Sequence, residues 1–204
     1  MSQIALPLRA GKDGPSRIVV GNANSVALDA MANARQWPFR TAVLHGPARS
    51  GKSLIARWFG EQGSGEAIDD ADRMDETALF HRWNRAQESR TPLLLISSAG
   101  EDQWQVALPD LRSRLGAALH LTIGTPDDAM LADLLALHAE LRGLALGPDA
   151  AAYLVPRTER SHIGIERLVA AIDRLSLERK AAPTLSIWRE ALEEIVGPRE
   201  PRLL

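Results

Sequence analysis

The chain has 204 residues, 45% hydrophobic and 25% charged, with 24 Lys plus Arg against 26 Asp plus Glu and a formal net charge of −2. This balance fits one or two globular domains, and excludes a solenoid array and, because arginines are scattered rather than gathered on one face, strong autonomous DNA binding. Cysteine is absent, which removes disulfides, thiolate zinc sites and cysteine nucleophiles and suits a reducing cytoplasm. Apolar runs such as Leu93 to Ile96 fall far short of the ~18–20 residues of a membrane span, and the first residues lack the basic-then-apolar pattern of a signal peptide.

In chain order, residues 1–16 read as a flexible tail around one short apolar cluster. From Ser25, the positions Val26, Leu28 and Met31 predict a helix that ends before Pro38, and Thr41 to His45 predicts a buried strand. Helices are expected over Lys52–Phe59, Glu76–Glu88 and Leu108–Leu115, and strands over Glu66–Asp69, Leu93–Ser97 and Ala118–Ile123. Thr125 and Pro126 look like an N-cap and first helical residue, after which only helical stripes follow: Met130 to Leu141, a second helix from Ala150, Ile165 to Leu175, and Ile187 to Ile195. The expectation is α/β: a small parallel sheet with helices over 17–124, followed by an all-helical unit over 125–204.

Gly46 to Ser53 reads GPARSGKS, the G-x-x-x-x-G-K-[ST] phosphate loop, placed after a strand and before a helix as its chemistry requires. Gly46 and Gly51 let backbone N–H groups turn inward around phosphate oxygens, with Pro47, Ala48, Arg49 and Ser50 completing the loop and Leu54 following it. Lys52 supplies charge to the outer phosphates, and the Ser53 hydroxyl supplies a ligand to Mg²⁺. Further along, Ile68-Asp69-Asp70 offers a strand end followed by acids: Asp69 to hold Mg²⁺ and Asp70 to orient water, unless Asp69, Asp70, Asp72 and Asp75 are only a solvated acidic turn. Ser97 and Ser98 end the next strand, where a polar side chain can sense the third phosphate or simply make a turn. Arg112 and Arg114, in LPDLRSRL, leave one arginine exposed, either as a surface charge or as a finger for a neighbour's nucleotide. The five tryptophans read as packing residues, and the five histidines lack metal-ligand spacing.

The order phosphate loop, IDDAD, ETALFHRWNRAQES, LLLISS, LPDLRSRL and a helical lid resembles the AAA+ module of the DnaA/Hda family of bacterial replication regulators, over roughly residues 17–197. The resemblance implies ADP or ATP with Mg²⁺ as ligand, with Val19, Val20 and Asn24 of IVVGNAN beside the base and a lid arginine falling at Glu166 or Arg167, of which Arg167 is carried. Two features are similar to the short Hda branch. The chain ends just beyond the lid, without the helix-turn-helix domain of DnaA, and its QIALPL segment resembles a sliding-clamp peptide, with Gln3, Ile4, Leu6, Pro7 and Leu8 as contacts. On that likeness the partners are the clamp and DnaA, with self-association into a homodimer compatible and no membrane involved, and Arg114 is carried over as the arginine that completes a catalytic site in trans. The stretch from Lys52 to Asp69 is shorter than in the family, which implies that one edge strand and its helix are missing and that the strand before Asp69 becomes a sheet edge. A self-contained loader-like ATPase and a nucleotide-dependent adaptor for another AAA+ client are the competing readings.

Overall fold

The computed structural model describes residues 5–7, 17–100 and 103–197. These residues cluster into two compact units, one from Ala5 to Gly124 and one from Thr125 onward.

The first unit opens with a two-stranded antiparallel ribbon, β1 (Ala5–Pro7) against β2 (Arg17–Val19), in which Ala5 pairs with Val19 and Pro7 with Arg17. Part of the expected tail is therefore a strand. Pairing of backbone groups needs no amphipathic pattern, so composition does not signal it. Helix α1 (Ser25–Ala32) follows, then β3 (Thr41–His45), α2 (Lys52–Glu61), β4 (Glu66–Ile68), α3 (Glu76–Ser89), β5 (Leu93–Ile96), α4 (Pro109–Gly116) and β6 (Leu119–Thr122). Helix α1 is shorter than the expected segment, whose remainder holds a short 3-10 turn at Ala34–Gln36; a second such turn, Pro38–Arg40, leads into β3.

The main sheet is parallel, in the order β4-β5-β3-β6, with Val43 opposite Leu95 on one side and opposite His120 on the other. The strand before Asp69, β4, is an edge and its three residues are only half-buried, as the shortened spacing implies. The central strands, β3 and β5, are buried along their length and carry the near-continuous apolar sequences of a sheet covered on both faces. On one face, Val43, Leu93 and Leu95 pack with Leu79 and Trp83 of α3 and with Leu111 and Leu115 of α4. Helix α2 packs on β4 and β5, and its fully buried Phe59 stacks on Trp37 with ring centroids 5.5 Å apart.

One polar contact fixes α4. No side chain of its own caps that helix; instead Glu76, in the first turn of α3, accepts the N–H groups of Ala107 at 2.8 Å and Leu108 at 2.6 Å. A carboxylate at a helix start satisfies orphan donors and opposes the dipole. Glu76→Ala is expected to lower unfolding free energy by about 1–2 kcal/mol, measured by urea denaturation, and Glu76→Gln to recover part of it.

The second unit is helical: α5 (Asp128–Leu141), α6 (Pro148–Leu154), α7 (His162–Arg179) and α8 (Leu185–Val196). Helix α5 is capped by Asp127, whose carboxylate accepts the Met130 N–H at 2.9 Å, so Thr125-Pro126 is not the cap. The chain is still extended at Asp127, and a carboxylate satisfies the first-turn donors there. Leu131, Ile165, Leu168 and Ile172 are fully buried in the packing of α5 with α7, while Arg167 is exposed on α7. Among the described residues no helix is long and apolar enough to cross a membrane.

Candidate functional site

The phosphate loop leaves the buried end of β3 and enters α2 at Lys52. Its two glycines serve different needs. A Cβ at Gly46 would lie 2.9 Å from Ile123 Cβ and 3.2 Å from Ser50 Oγ, so close approach forbids a side chain. Gly51 has open space around it but a φ of 87°, the left-handed geometry that turns the chain into α2 and that other residues adopt at a penalty. Arg49, with φ 64°, takes a similar geometry without being glycine.

The Lys52 ammonium folds back over the loop and donates to Gly46 O at 2.6 Å and Pro47 O at 2.9 Å. Burial holds its pKa below the usual lysine value, while Asp69, Asp72 and Asp70 pull in the opposite direction. The loop's lysine and the acids after β4 thus share one electrostatic neighbourhood, as the parallel strand order requires. Inside the loop, Ser50 Oγ is buried without a hydrogen-bond partner, a donor suited to an anion's oxygen. Ser53, in the first turn of α2, is exposed, and Leu54 beside it is half-buried. These groups fit a polyphosphate: the loop presents backbone donors, a helix start, a desolvated ammonium and an orphan hydroxyl. Ser53 and Asp69 would hold the accompanying Mg²⁺, whose charge would offset that of the phosphates.

Asp69 and Asp70 are both exposed after β4, with Asp69 Oδ1 accepting the Asp70 N–H at 3.0 Å and Asp70 at φ 48°. Asp72 is more firmly held. Its carboxylate takes the Ser98 N–H at 2.8 Å, the Ser98 hydroxyl at 2.8 Å and the Ala99 N–H at 3.1 Å. Burial would raise its pKa, but these bonds outweigh that effect and hold it below the usual aspartate value. Of the two strand-end serines, Ser97 is fully buried and donates to Ala99 O at 3.0 Å, whereas Ser98 is exposed. Asp75, the last acid of the run, caps α3 by accepting the Ala78 N–H at 2.8 Å. The acidic run therefore divides its roles: two acids face outward, one clamps a loop and one caps a helix.

Asn24 is 2% exposed and bridges its own turn: Nδ2 donates to Val19 O at 2.8 Å and Oδ1 accepts the Gly21 N–H at 2.9 Å. This fixes the path of Val19, the last residue of β2, and of Val20 after it, both half-buried. Arg114 is on α4 but is not a free surface charge. Its guanidinium lies 4.2 Å over the rings of both Phe80 and Trp83 and donates to Asn84 Oδ1. Those three residues form a cradle along α3, at helical spacing. Gln3, Ile4 and Leu8 lie outside the described residues, while Leu6 and Pro7 belong to β1.

Sequence reasoning had no particular role for Asp72, Glu76 or Asn84. All three bind across the fold, and only the excess of acids after β4 marks one of them in the sequence.

No protein-family model matches the chain. Among solved structures, domain III of the Thermotoga maritima replication initiation protein DnaA is similar, with TM-score 0.72 and 15% identity over 89% of this chain and 95% of that one. A replication initiator DnaA bound to AMPPCP and single-stranded DNA matches with TM-score 0.60 and 15% identity, over 80% of this chain and 66% of its own. The Thermotoga maritima RuvB Holliday junction branch migration motor matches with TM-score 0.60 and 18% identity, over 85% of this chain and 68% of its own. The fold is like that of DnaA domain III, a small parallel sheet with helices followed by a helical unit, and this chain spans about two thirds of the longer proteins that share it.

Proposed function

We propose that this chain, DnaA-like in fold, is a nucleotide-bound regulator of replication initiation that acts with the DNA sliding clamp to stimulate ATP hydrolysis by DnaA. The observation that carries the reading is the co-assembly of a complete phosphate loop, Lys52 and the acids after β4 at one end of the sheet, with Arg114 held separately on α4. The loop takes ADP or ATP with Mg²⁺, and Arg114 serves a neighbouring protein's nucleotide rather than this chain's own. The structurally similar proteins support the reading: two are replication initiation proteins DnaA, one of them bound to AMPPCP and single-stranded DNA.

The QIALPL segment is the clamp-binding element in this reading. Since Ala5–Pro7 pairs with β2, a partner that takes this segment as an extended peptide competes with β1–β2 pairing for the same backbone groups. Removal of residues 1–8 is expected to abolish clamp binding in surface-plasmon measurements while leaving nucleotide binding within a few-fold.

The deciding experiment measures ATP hydrolysis by DnaA on clamp-loaded DNA. Stimulation by the full chain, lost on Arg114→Ala and on removal of residues 1–8, supports the proposal. Absence of stimulation with active partners rejects it, and appreciable hydrolysis by the isolated chain, lost on Asp70→Asn, favours a self-contained ATPase.

A further inference from the structure

Arg112 is the arginine of LPDLRSRL that the proposed function leaves unused, and it lines a cavity on the sheet face covered by α4. Alternation along β3 puts His45 on the same face as Val43, which packs with Leu115 of α4, and the register of β6 sets His120 opposite Val43. His45 and His120 form one side of this cavity of about 180 Å³, whose other sides are Leu115 and Arg112 of α4 and Trp104 and Val106 of the segment before it. Arg112 and His120 are exposed, so the cavity is open to a ligand there.

Its lining combines an apolar floor with polar groups in fixed states. Val43, Val106 and Leu115 are buried and Trp104 is half-buried beside them. Leu115 O only accepts, so His120 Nε2, at 3.1 Å, carries a proton. A neutral His120 then offers its Nδ1 lone pair to the Nε2–H of His45 at 3.2 Å, which gives the ring of His45, 2% exposed, a hydrogen bond. The facing nitrogens are thus spent on each other, and among the described residues no third metal-ligating side chain joins them, so the pair is a wall and not a metal centre.

Arg112 is placed differently. Its Nε donates to Val106 O at 2.8 Å, which fixes the guanidinium beside the cavity while the two terminal amino groups keep donors for a ligand. Among the described residues the lining holds no carboxylate to compete for them. The space equals that of about six water molecules. A cationic fork matches a carboxylate, and aromatic rings over an apolar floor favour a flat hydrocarbon body that displaces water.

We propose that this cavity is a binding site for a small aromatic carboxylate, held by Arg112 and seated between α4 and the β3–β6 pair. Its residues are not those of the phosphate loop, and it stands whether or not the loop takes a nucleotide.

The test is NMR of the full chain titrated with benzoate, acetate and benzyl alcohol at constant ionic strength. It follows the His120 imidazole and Trp104 indole signals, assigned with His120→Gln and Trp104→Phe, and the backbone amides of Gly51 and Lys52. Benzoate is expected to move the His120 and Trp104 signals along one saturation curve with a Kd below about 1 mM, leaving the two loop amides in place. Acetate lacks the apolar body and benzyl alcohol lacks the charge, and each should bind at least about tenfold more weakly. Arg112→Gln should weaken benzoate by at least about tenfold with the ligand-free signals retained, and Arg112→Lys, which keeps the charge without the fork, should recover only part of the loss. Unchanged affinity in Arg112→Gln overturns the proposal. So do equal affinity for benzyl alcohol, shifts confined to the loop amides, or His120 and Trp104 signals that benzoate does not move; these three results come from wild type and need no variant to fold.

Discussion

Lys52→Ala is expected to weaken nucleotide binding by at least a hundredfold while leaving the fold intact, as read by calorimetry and by circular dichroism. The ammonium is the charge that the loop would bring to the outer phosphates, and it donates to the carbonyls of Gly46 and Pro47. The carbonyls offer that cation only dipoles, whereas phosphate oxygens carry full negative charge and add ion–ion attraction to the hydrogen bonds. Exchange of partners therefore favours binding. Burial lowers the Lys52 pKa and the aspartates only partly restore it, so its charged form is less favoured than that of a lysine in water. A bound polyphosphate raises that pKa. Over the alkaline range between the lowered and restored values, binding must take up a proton, which appears as a dependence of the calorimetric heat on the buffer's ionisation enthalpy. Loss of that proton uptake in Lys52→Ala, or in its conservative partner Lys52→Gln, assigns it to this side chain.

Under the proposed function, Arg114→Ala should reduce stimulation of DnaA's ATP hydrolysis by about 10³-fold or more, in line with the worth of an arginine supplied in trans. The side chain is oriented before any partner arrives: Phe80 and Trp83 face the planar guanidinium and Asn84 receives one of its donors. Arginine carries five N–H donors, so the contact to Asn84 leaves others for a phosphate. Lysine has neither the stacking plane nor the fork, and Arg114→Lys is expected to fail nearly as badly. Loss of the stacked cation should lower stability by only about 1–2 kcal/mol, so a urea titration separates a folding defect from loss of the stimulating charge.

Much of the α/β unit follows from short-range pattern. Leu93 to Ile96 is apolar without alternation because β5 is covered on both faces, and the same holds for Ala42 to Leu44 within the fully buried β3. The phosphate loop is legible for a local reason as well. Gly51 must adopt a positive φ and Lys52 must begin a helix, and both demands are written in eight consecutive residues. The edge position of β4 follows from the few residues between Lys52 and Asp69, since chain length limits what can lie between two strands.

Where sequence reasoning stopped, the deciding partners are far apart in the chain. Asp127 rather than Thr125 caps α5 because the N-cap is set by where the helical dihedrals begin, which the cap-competent residues Thr125, Asp127 and Asp128 leave undetermined in the sequence. Pairing of Ala5–Pro7 with β2 is a backbone event that composition does not record. Arg114 was legible as an arginine on a helix, yet its cradle on α3 depends on how α3 and α4 pack on the same sheet face.

The sequence by itself determined the phosphate loop, the alternation of strands and helices and the passage to an all-helical unit, because each depends on residues within one turn or one strand of each other. The tertiary structure alone decided that Asp72 binds Ser98 and Ala99, that Glu76 caps α4 and that Arg114 rests on Phe80, Trp83 and Asn84. Those contacts join side chains from different elements. A carboxylate or guanidinium has the same local signature whether it faces water or a neighbour, and only the order and packing of strands and helices bring one partner to the other.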